Sequence, residues 1–523
     1  MLKFIREINK PLLLVLICAL SMNANAQSPG TEYGDFPYFQ SFLGNNKPTE
    51  VSVPEPQTGS QNSTEFTSEG LQLTPAQQGQ FGAIFVNNRR FSSINGIKLE
   101  FEYMMYSGTG ADGMSVFLFD ASVNQPKIGA RGAGIGYAYN RTNNKYLSQR
   151  SQGLTGGYLG IAFDSYGNFK GRRFQGESRV NGINEGNLGR SHVTLRGAKG
   201  VPFVYNNRQV PGMGDGFTGY PVLITQSTLD VSVNRFINTD GKYNTLTSSP
   251  LSQTFNIRGG SKFVDENDPN YRKAIIELYP SYSGNTVQGM SVTVKIQHGK
   301  TVSTIIEDYL YKTSFDYEEN ALPSTISTTG DDNSNENQLG YPVKVKLNAG
   351  IPEFLRIGFA AATGAETDIH MLRNLIITLP GSAEASDDTA VTYQGYPVEI
   401  SPLVNDVAYT GVISKDQVGK AEYVDEESFR FITEDGTPSA NPYEYTSSQG
   451  KWVYNKDTQR VTFTPSANFV NGKASVKYDI RGGLKGEQPY VDEAYRSVPA
   501  TISVTVNPRQ YIISNRMTTP DLN

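Results

Sequence analysis

Short apolar stretches whose side chains alternate with polar ones run through most of the chain, separated by Gly, Asn and Ser. Ile97-Lys98-Leu99-Glu100-Phe101-Glu102-Tyr103 and Met290-Ser291-Val292-Thr293-Val294-Lys295-Ile296 both have the period of two expected of a strand with one buried face. No stretch sustains a helical period. The pattern predicts a large all-β domain over residues 36–380, with the polar run Ser324–Gln338 as a solvated loop inside it. Pro380–Asp388 is small and polar and reads as a connector. A second all-β unit is expected over 389–507, with strands at Trp452-Val453-Tyr454, Arg460–Thr464 and Ile502–Val506, followed by a tail over 508–523.

The N-terminus changes the setting. Lys3, Arg6 and Lys10 precede an apolar run from Leu12 to Leu20, and Ala24-Asn25-Ala26 supplies the small-x-small pattern of a cleavage site. Residues 1–26 therefore read as a signal peptide, and the protein as exported to the cell surface or beyond. The apolar run is too short to span a bilayer, so no transmembrane segment is expected after cleavage. Cys18 is the only cysteine and lies in this segment, so a processed chain would hold neither disulfides nor thiolate sites.

Charge adds an exclusion. With 46 basic and 51 acidic residues the chain has no basic footprint for nucleic acid. Its 52 Gly, 30 Tyr and 26 Phe suit a turn-rich β-sandwich, whose aromatics serve first as core.

Three segments carry chemistry. In Gly110-Ala111-Asp112-Gly113-Met114-Ser115-Val116-Phe117-Leu118 a carboxylate flanked by glycines heads an apolar strand. There it either accepts charge-assisted bonds from sugar hydroxyls or caps its own turn. In Gly157–Phe169 a buried strand ends in Asp164, and Tyr166 and Asn168 follow at alternate positions. A carboxylate, a carbonyl and an amide oxygen there suit a hard cation such as Ca²⁺, or form a polar strand-to-loop turn without metal. In Phe354–Leu375 a strand enters the turn Thr363-Gly364-Ala365-Glu366 and returns through a strand carrying His370.

Together these segments resemble the L-type (legume-like, concanavalin A-like) lectins, especially bacterial members. The resemblance implies a concanavalin A-like jelly-roll sandwich that binds glycans or polysaccharides. It implies that Asp112, after a cis peptide, and Asn168 bind sugar beside Tyr166, and that Gly134 or Gly136, in Gly132–Tyr137, offers a backbone N–H. Ala365 and Glu366 would lie on the loop that sets sugar preference. Asp164, the Tyr166 carbonyl and Asn168 would hold Ca²⁺. The family's transition metal is not expected, because Ala162 stands where its glutamate ligand would be. His192 then reads as a strand-end residue, and the second calcium aspartate has no match in Lys170–Arg173, with Glu177 or Glu185 as substitutes.

The second unit, about 115 residues long, resembles immunoglobulin/cadherin-like surface modules, with Trp452 in its core. The function that follows is an exported, non-enzymatic carbohydrate-binding protein such as an adhesin. Two alternatives stand beside it: a structural or protein-binding surface module without sugar binding, and a glycoside hydrolase. The hydrolase needs two carboxylates flanking the bond, and no Glu-x-Asp-x-Glu strand is present; Glu426-Glu427 and Asp265-Glu266 would face opposite sides of a strand.

Overall fold

The computed structural model describes residues 32–59, 61–139, 151–170, 190–201, 204–205, 208–209, 218–229, 234–237, 243–245, 251–259, 262, 264–320, 342–408, 424–482 and 492–509. The signal segment, the polar run 324–338, Glu177, Glu185 and tail residues 510–523 lie outside them. The architecture is all-β, as the alternation predicts, and no helix among the described residues is long and apolar enough to cross a membrane.

The N-terminal part is built on two antiparallel sheets. One has eight strands, with Ile97–Tyr106 between Arg272–Ser283 and Ile369–Thr378. The other has nine, and at its middle Gly113–Asp120 lies between Gly157–Asp164 and Phe354–Ala362. Leu99, Phe101 and Tyr103 from the first sheet meet Val116, Ile161, Phe163 and Phe359 from the second in one continuous core. Phe101 anchors it, with its ring edge-on to both Phe359 at 5.0 Å and Phe163 at 5.9 Å. The intervening Lys98, Glu100 and Glu102 face outward; Glu100 pairs with Lys98 along its own strand and with Lys273 across to the next, and Glu102 pairs across with Arg373.

Two strands depart from the alternation, for a physical reason. Gly113–Phe119 and Gly157–Asp164 are buried at every position because the second sheet carries a further apolar layer on its other face. Phe117, Phe119, Ala162 and Ala360 meet Ile135, Tyr137, Tyr139 and Tyr220 there. The glycine-rich segment 131–137 that supplies part of this layer is thereby pressed onto the sheet beside the head of the Met114 strand.

The C-terminal part has its own two four-stranded sheets and its own core. Asp388–Tyr393 runs parallel to Ala500–Asn507, the remaining pairs being antiparallel. Trp452 is fully buried there against Phe463, with ring centroids 4.1 Å apart, as expected. The two parts touch where Lys98 pairs with Glu384 at 2.5 Å and the Asn95 amide donates to the Tyr495 hydroxyl at 3.0 Å.

Because Trp452 is the only tryptophan, its fluorescence reports unfolding of the C-terminal core. Phe101→Ala should cost the N-terminal core about 3–5 kcal/mol. We expect the tyrosine circular-dichroism transition to fall while the Trp452 fluorescence transition moves far less; coincident shifts would show one cooperative unit.

Candidate functional site

The three segments singled out in the sequence meet at the head of the Met114 strand. The Ala111–Asp112 peptide is cis. The Asp112 N–H donates to the Ala362 carbonyl at 2.7 Å, and the Asp112 carbonyl accepts from the Tyr166 N–H and the Ser165 hydroxyl, both at 3.1 Å. Gly113 has a φ of +141°, and a Cβ there would overlap the Phe163 carbonyl, so the chain turns into the sheet at a position only glycine fits. The Asp112 carboxylate faces Gly364, where a Cβ would lie 3.4 Å from Oδ1.

A salt bridge fixes the neighbouring turn. Asp368 is fully buried and accepts two bonds from Arg258, Nε at 2.8 Å and Nη2 at 2.6 Å, and one from the Gly108 N–H at 3.0 Å. Thr367 exchanges further bonds with Thr109 and Gly110. The loop 107–112 and the turn 363–368 are thus tied together on both sides of the Asp112 carboxylate. Gly79 extends the rim, its N–H donating to the Gly364 carbonyl at 3.0 Å and its carbonyl accepting from Arg131 at 2.9 Å.

Within this frame Asp112 is 5% exposed and its Oδ2 has no hydrogen-bond partner. Burial pushes its pKa up to about 7; the nearby Asp164 charge adds to the shift and Arg131 opposes it. A carboxylate withheld from water with an idle acceptor is costly, and such groups mark sites that a ligand completes.

The other expected residues divide. Tyr166 and Asn168 are half-buried on the loop beside Asp112, and the Asn168 amide makes no hydrogen bond among the described residues. Ala365 is exposed and Glu366 half-buried on the facing turn, where the Ala365 carbonyl accepts from Gln78 at 2.8 Å. Gly136 does not fit its expected role. Its N–H donates to the Ala130 carbonyl at 2.8 Å, and a Cβ there would strike Ala360, so this glycine serves close packing. Gly134 is buried in a short 3₁₀ turn, and its carbonyl accepts from Tyr137 and Ala138.

The calcium expectation meets a different donor set. Asp164 is fully buried and turned into its own loop, Oδ1 accepting from the Gly167 N–H at 2.7 Å and Oδ2 from the Lys170 N–H at 3.2 Å. Burial raises its pKa, opposed first by the charge of Lys170 and then by these backbone donors. The Lys170 side chain is itself buried, its ammonium 3.0 Å from Nδ1 of His192, which opens the strand His192–Arg196 opposite Asp164. The buried Arg196 guanidinium holds the Phe169 carbonyl at 2.7 and 2.9 Å in the same loop. One fixed cation, Lys170, therefore stands near Asp164, and Arg196 braces the same loop through the Phe169 carbonyl. A divalent ion asking for six to eight oxygens does not fit Asp164, the Tyr166 carbonyl and Asn168 as they stand. No cluster of three or more His, Cys, Asp or Glu with metal-holding geometry occurs among the described residues.

His370 is a packing residue. It is fully buried, its Nδ1 is 2.7 Å from the Thr74 hydroxyl, and burial followed by the Arg258 charge pushes its pKa down to about 3. Asp368 lies in the strand–turn–strand segment Phe354–Leu375, where its residue type alone assigns it no role. Arg131, Arg190 and Arg258 left no local signal, because the contacts that bring them to the site are long-range.

No family model matches this sequence, and no curated protein matches it. Among solved structures the chain is similar to the exoplasmic/lumenal domain of VIP36 in its Ca²⁺/Man3GlcNAc-bound form, at 12% identity and a TM-score of 0.28, over 68% of this chain and 91% of that one. It is also similar to a legume lectin-like domain from Entamoeba histolytica, at 10% identity and a TM-score of 0.29, over 65% of this chain and 97% of that one. Likeness at this level assigns neither a family nor a ligand.

Two outcomes check the site. The folded-state pKa of Asp112 lies above the value near 3.9 of an unfolded aspartate, so its ionisation costs the fold stability as pH rises from about 4 to about 7, by roughly 4 kcal/mol at the upper end. Asp112→Asn should therefore raise the Tm by several degrees at pH 8 and change it little at pH 4; an unchanged or lower Tm at pH 8 would contradict this electrostatic account. For calcium, an ion bound with micromolar Kd would add about 4 kcal/mol of stability at millimolar concentration. We expect the melting curve to be the same in EDTA and in millimolar CaCl₂.

Proposed function

We propose that this chain is an exported carbohydrate-binding protein of lectin type, with its sugar site at Asp112. The observation that carries the reading is the buried, unpartnered Asp112 carboxylate oxygen where the three segments meet. A sugar hydroxyl supplies the missing donor, and a neighbouring hydroxyl can use the second oxygen. Asn168 adds an amide and Tyr166 a ring edge, while Ala365 and Glu366 border the opening. Of the glycine loop, Gly134 sits in the 3₁₀ turn that follows Arg131, whose guanidinium reaches the Gly79 carbonyl on the rim. The net gain per hydroxyl is small, because sugar–water bonds are exchanged for sugar–protein bonds, so single-site affinity is weak.

The reading is of binding and not of hydrolysis. Of the carboxylates beside Asp112, both oxygens of Asp164 are engaged by backbone donors and Asp368 is paired with Arg258, so neither is the free second carboxylate that a glycosidase needs; the half-buried Glu366 is read as a loop residue at the opening. The C-terminal unit would be an immunoglobulin-like spacer in a surface adhesin, its buried Trp452 taking no part in recognition.

Glycan-array screening followed by calorimetry tests the proposal. Wild-type protein should bind at least one saccharide class with a Kd in the micromolar to millimolar range, and Asp112→Ala should weaken it at least tenfold while the fold persists. Affinity should also fall as pH is lowered through about 7, because protonation of Asp112 removes the acceptor. A properly folded protein that binds no glycan but retains a protein partner would overturn the carbohydrate reading.

A further inference from the structure

The rim of the Asp112 site carries more positive charge than a neutral sugar needs. Arg190 lies over the Tyr166 ring at 5.0 Å and donates to the Thr109 carbonyl at 3.2 Å. Arg258 reaches the same loop, donating to the Gly108 carbonyl at 3.1 Å. An atom at the Cβ position of Gly110, two residues before Asp112, would lie 3.4 Å from Nη1 of Arg258 and 3.5 Å from Nη1 of Arg190. The two guanidinium groups thus flank a single point of the rim. Arg258 is neutralised by Asp368, but Arg190 has no carboxylate partner among the described residues. On the Gly79 side, Arg131 is likewise bonded only to a backbone carbonyl there and lies near enough to Asp112 to oppose its pKa rise. The carboxylates facing this rim are Asp112 itself, the fully buried Asp164, the paired Asp368, and Glu366 on the 363–368 turn.

The site therefore offers two unlike demands within one opening: a buried carboxylate oxygen that lacks a donor, and two guanidinium groups, the exposed Arg190 and the half-buried Arg131, that among the described residues meet backbone carbonyls but no carboxylate. A ligand with hydroxyls alone meets the first, and a simple anion meets the second. We propose that the site selects an anionic saccharide, one that donates ring hydroxyls to Asp112 and places a carboxylate or sulfate against Arg190, with Arg131 as a second cation on the opposite rim. Guanidinium suits this task because its planar fork pairs both oxygens of a carboxylate and two oxygens of a sulfate. The inference rests on the carbohydrate reading and narrows its ligand class.

Matched pairs of ligands test it: glucose against glucuronate, galactose against galacturonate, and each neutral sugar against its sulfate ester. Calorimetry or competition should show the anionic member of at least one pair binding about two- to fivefold tighter at low ionic strength, consistent with rim-exposed ion pairs. The carboxylate and sulfate arms identify which anion is preferred. The preference should shrink in 1 M NaCl, where screening acts within about 3 Å. In Arg190→Gln, and further in the Arg190→Gln/Arg131→Gln double variant, the anionic-to-neutral affinity ratio should fall toward one, and Arg190→Lys should retain part of it. Neutral and anionic sugars bound equally well, or a ratio unmoved by these changes, would overturn the inference and leave the carbohydrate reading standing. Binding of neither class would overturn both.

Discussion

The structure around the candidate site is organised by one electrostatic constraint: a carboxylate kept out of water with a buried oxygen that no donor meets. An aspartate in that position drifts toward solvent or toward a counter-ion unless its backbone is held. Asp112 is held by bonds from its N–H and carbonyl to two different loops, and by Gly113, which sends the chain straight into a strand buried on both faces. Arg258 and Asp368 then lock the facing turn, so the rim cannot collapse onto the carboxylate. The apolar layer on each face of the sheet supplies the rigidity, and the energetic cost of the buried charge is spread over that scaffold.

Much of this was legible along the chain. Period-two alternation marked Ile97–Tyr103 and Met290–Ile296, which lie within the longer strands Ile97–Tyr106 and Thr286–His298, because each has one face turned to the core. Asp112, Tyr166 and the 363–366 turn were legible as motifs, since glycines and polar groups at the end of an apolar run have few other reasons to occur together. The rest was not legible, for a common reason. Arg258 lies 110 residues from its partner Asp368 and Arg131 lies 52 from Gly79, so only the folded sheet order unites them. The role of Gly136 was misjudged because an amide donor in a glycine run looks available until its acceptor, Ala130, is in view.

Lys170 shows how a motif can persist while its physics changes. The run from Asp164 to Asn168 has the residue types of a cation loop, yet Lys170 supplies a positive charge from the polypeptide itself. An ammonium on a covalent tether does not dissociate, cannot be chelated and fixes one charge where calcium would bring two. Asp164 then acts as a loop organiser, its oxygens closing the turn 164–170 through backbone donors.

The strand Ile97–Tyr106 connects two features at opposite ends. At its start, Lys98 and Asn95 meet the C-terminal unit; past its end, the chain runs through Ser107–Gly110 to Asp112. Ten residues at about 3.3 Å each separate the two by roughly 33 Å. If the proposed glycan were held at Asp112 and the C-terminal unit were tethered, the two would pull on the sandwich from opposite poles. Such a load runs lengthwise along the strands, so that neighbouring ladders slide against one another and many hydrogen bonds share the force at once. The arrangement is that of a lap joint, which resists tension far better than a seam peeled open from one edge.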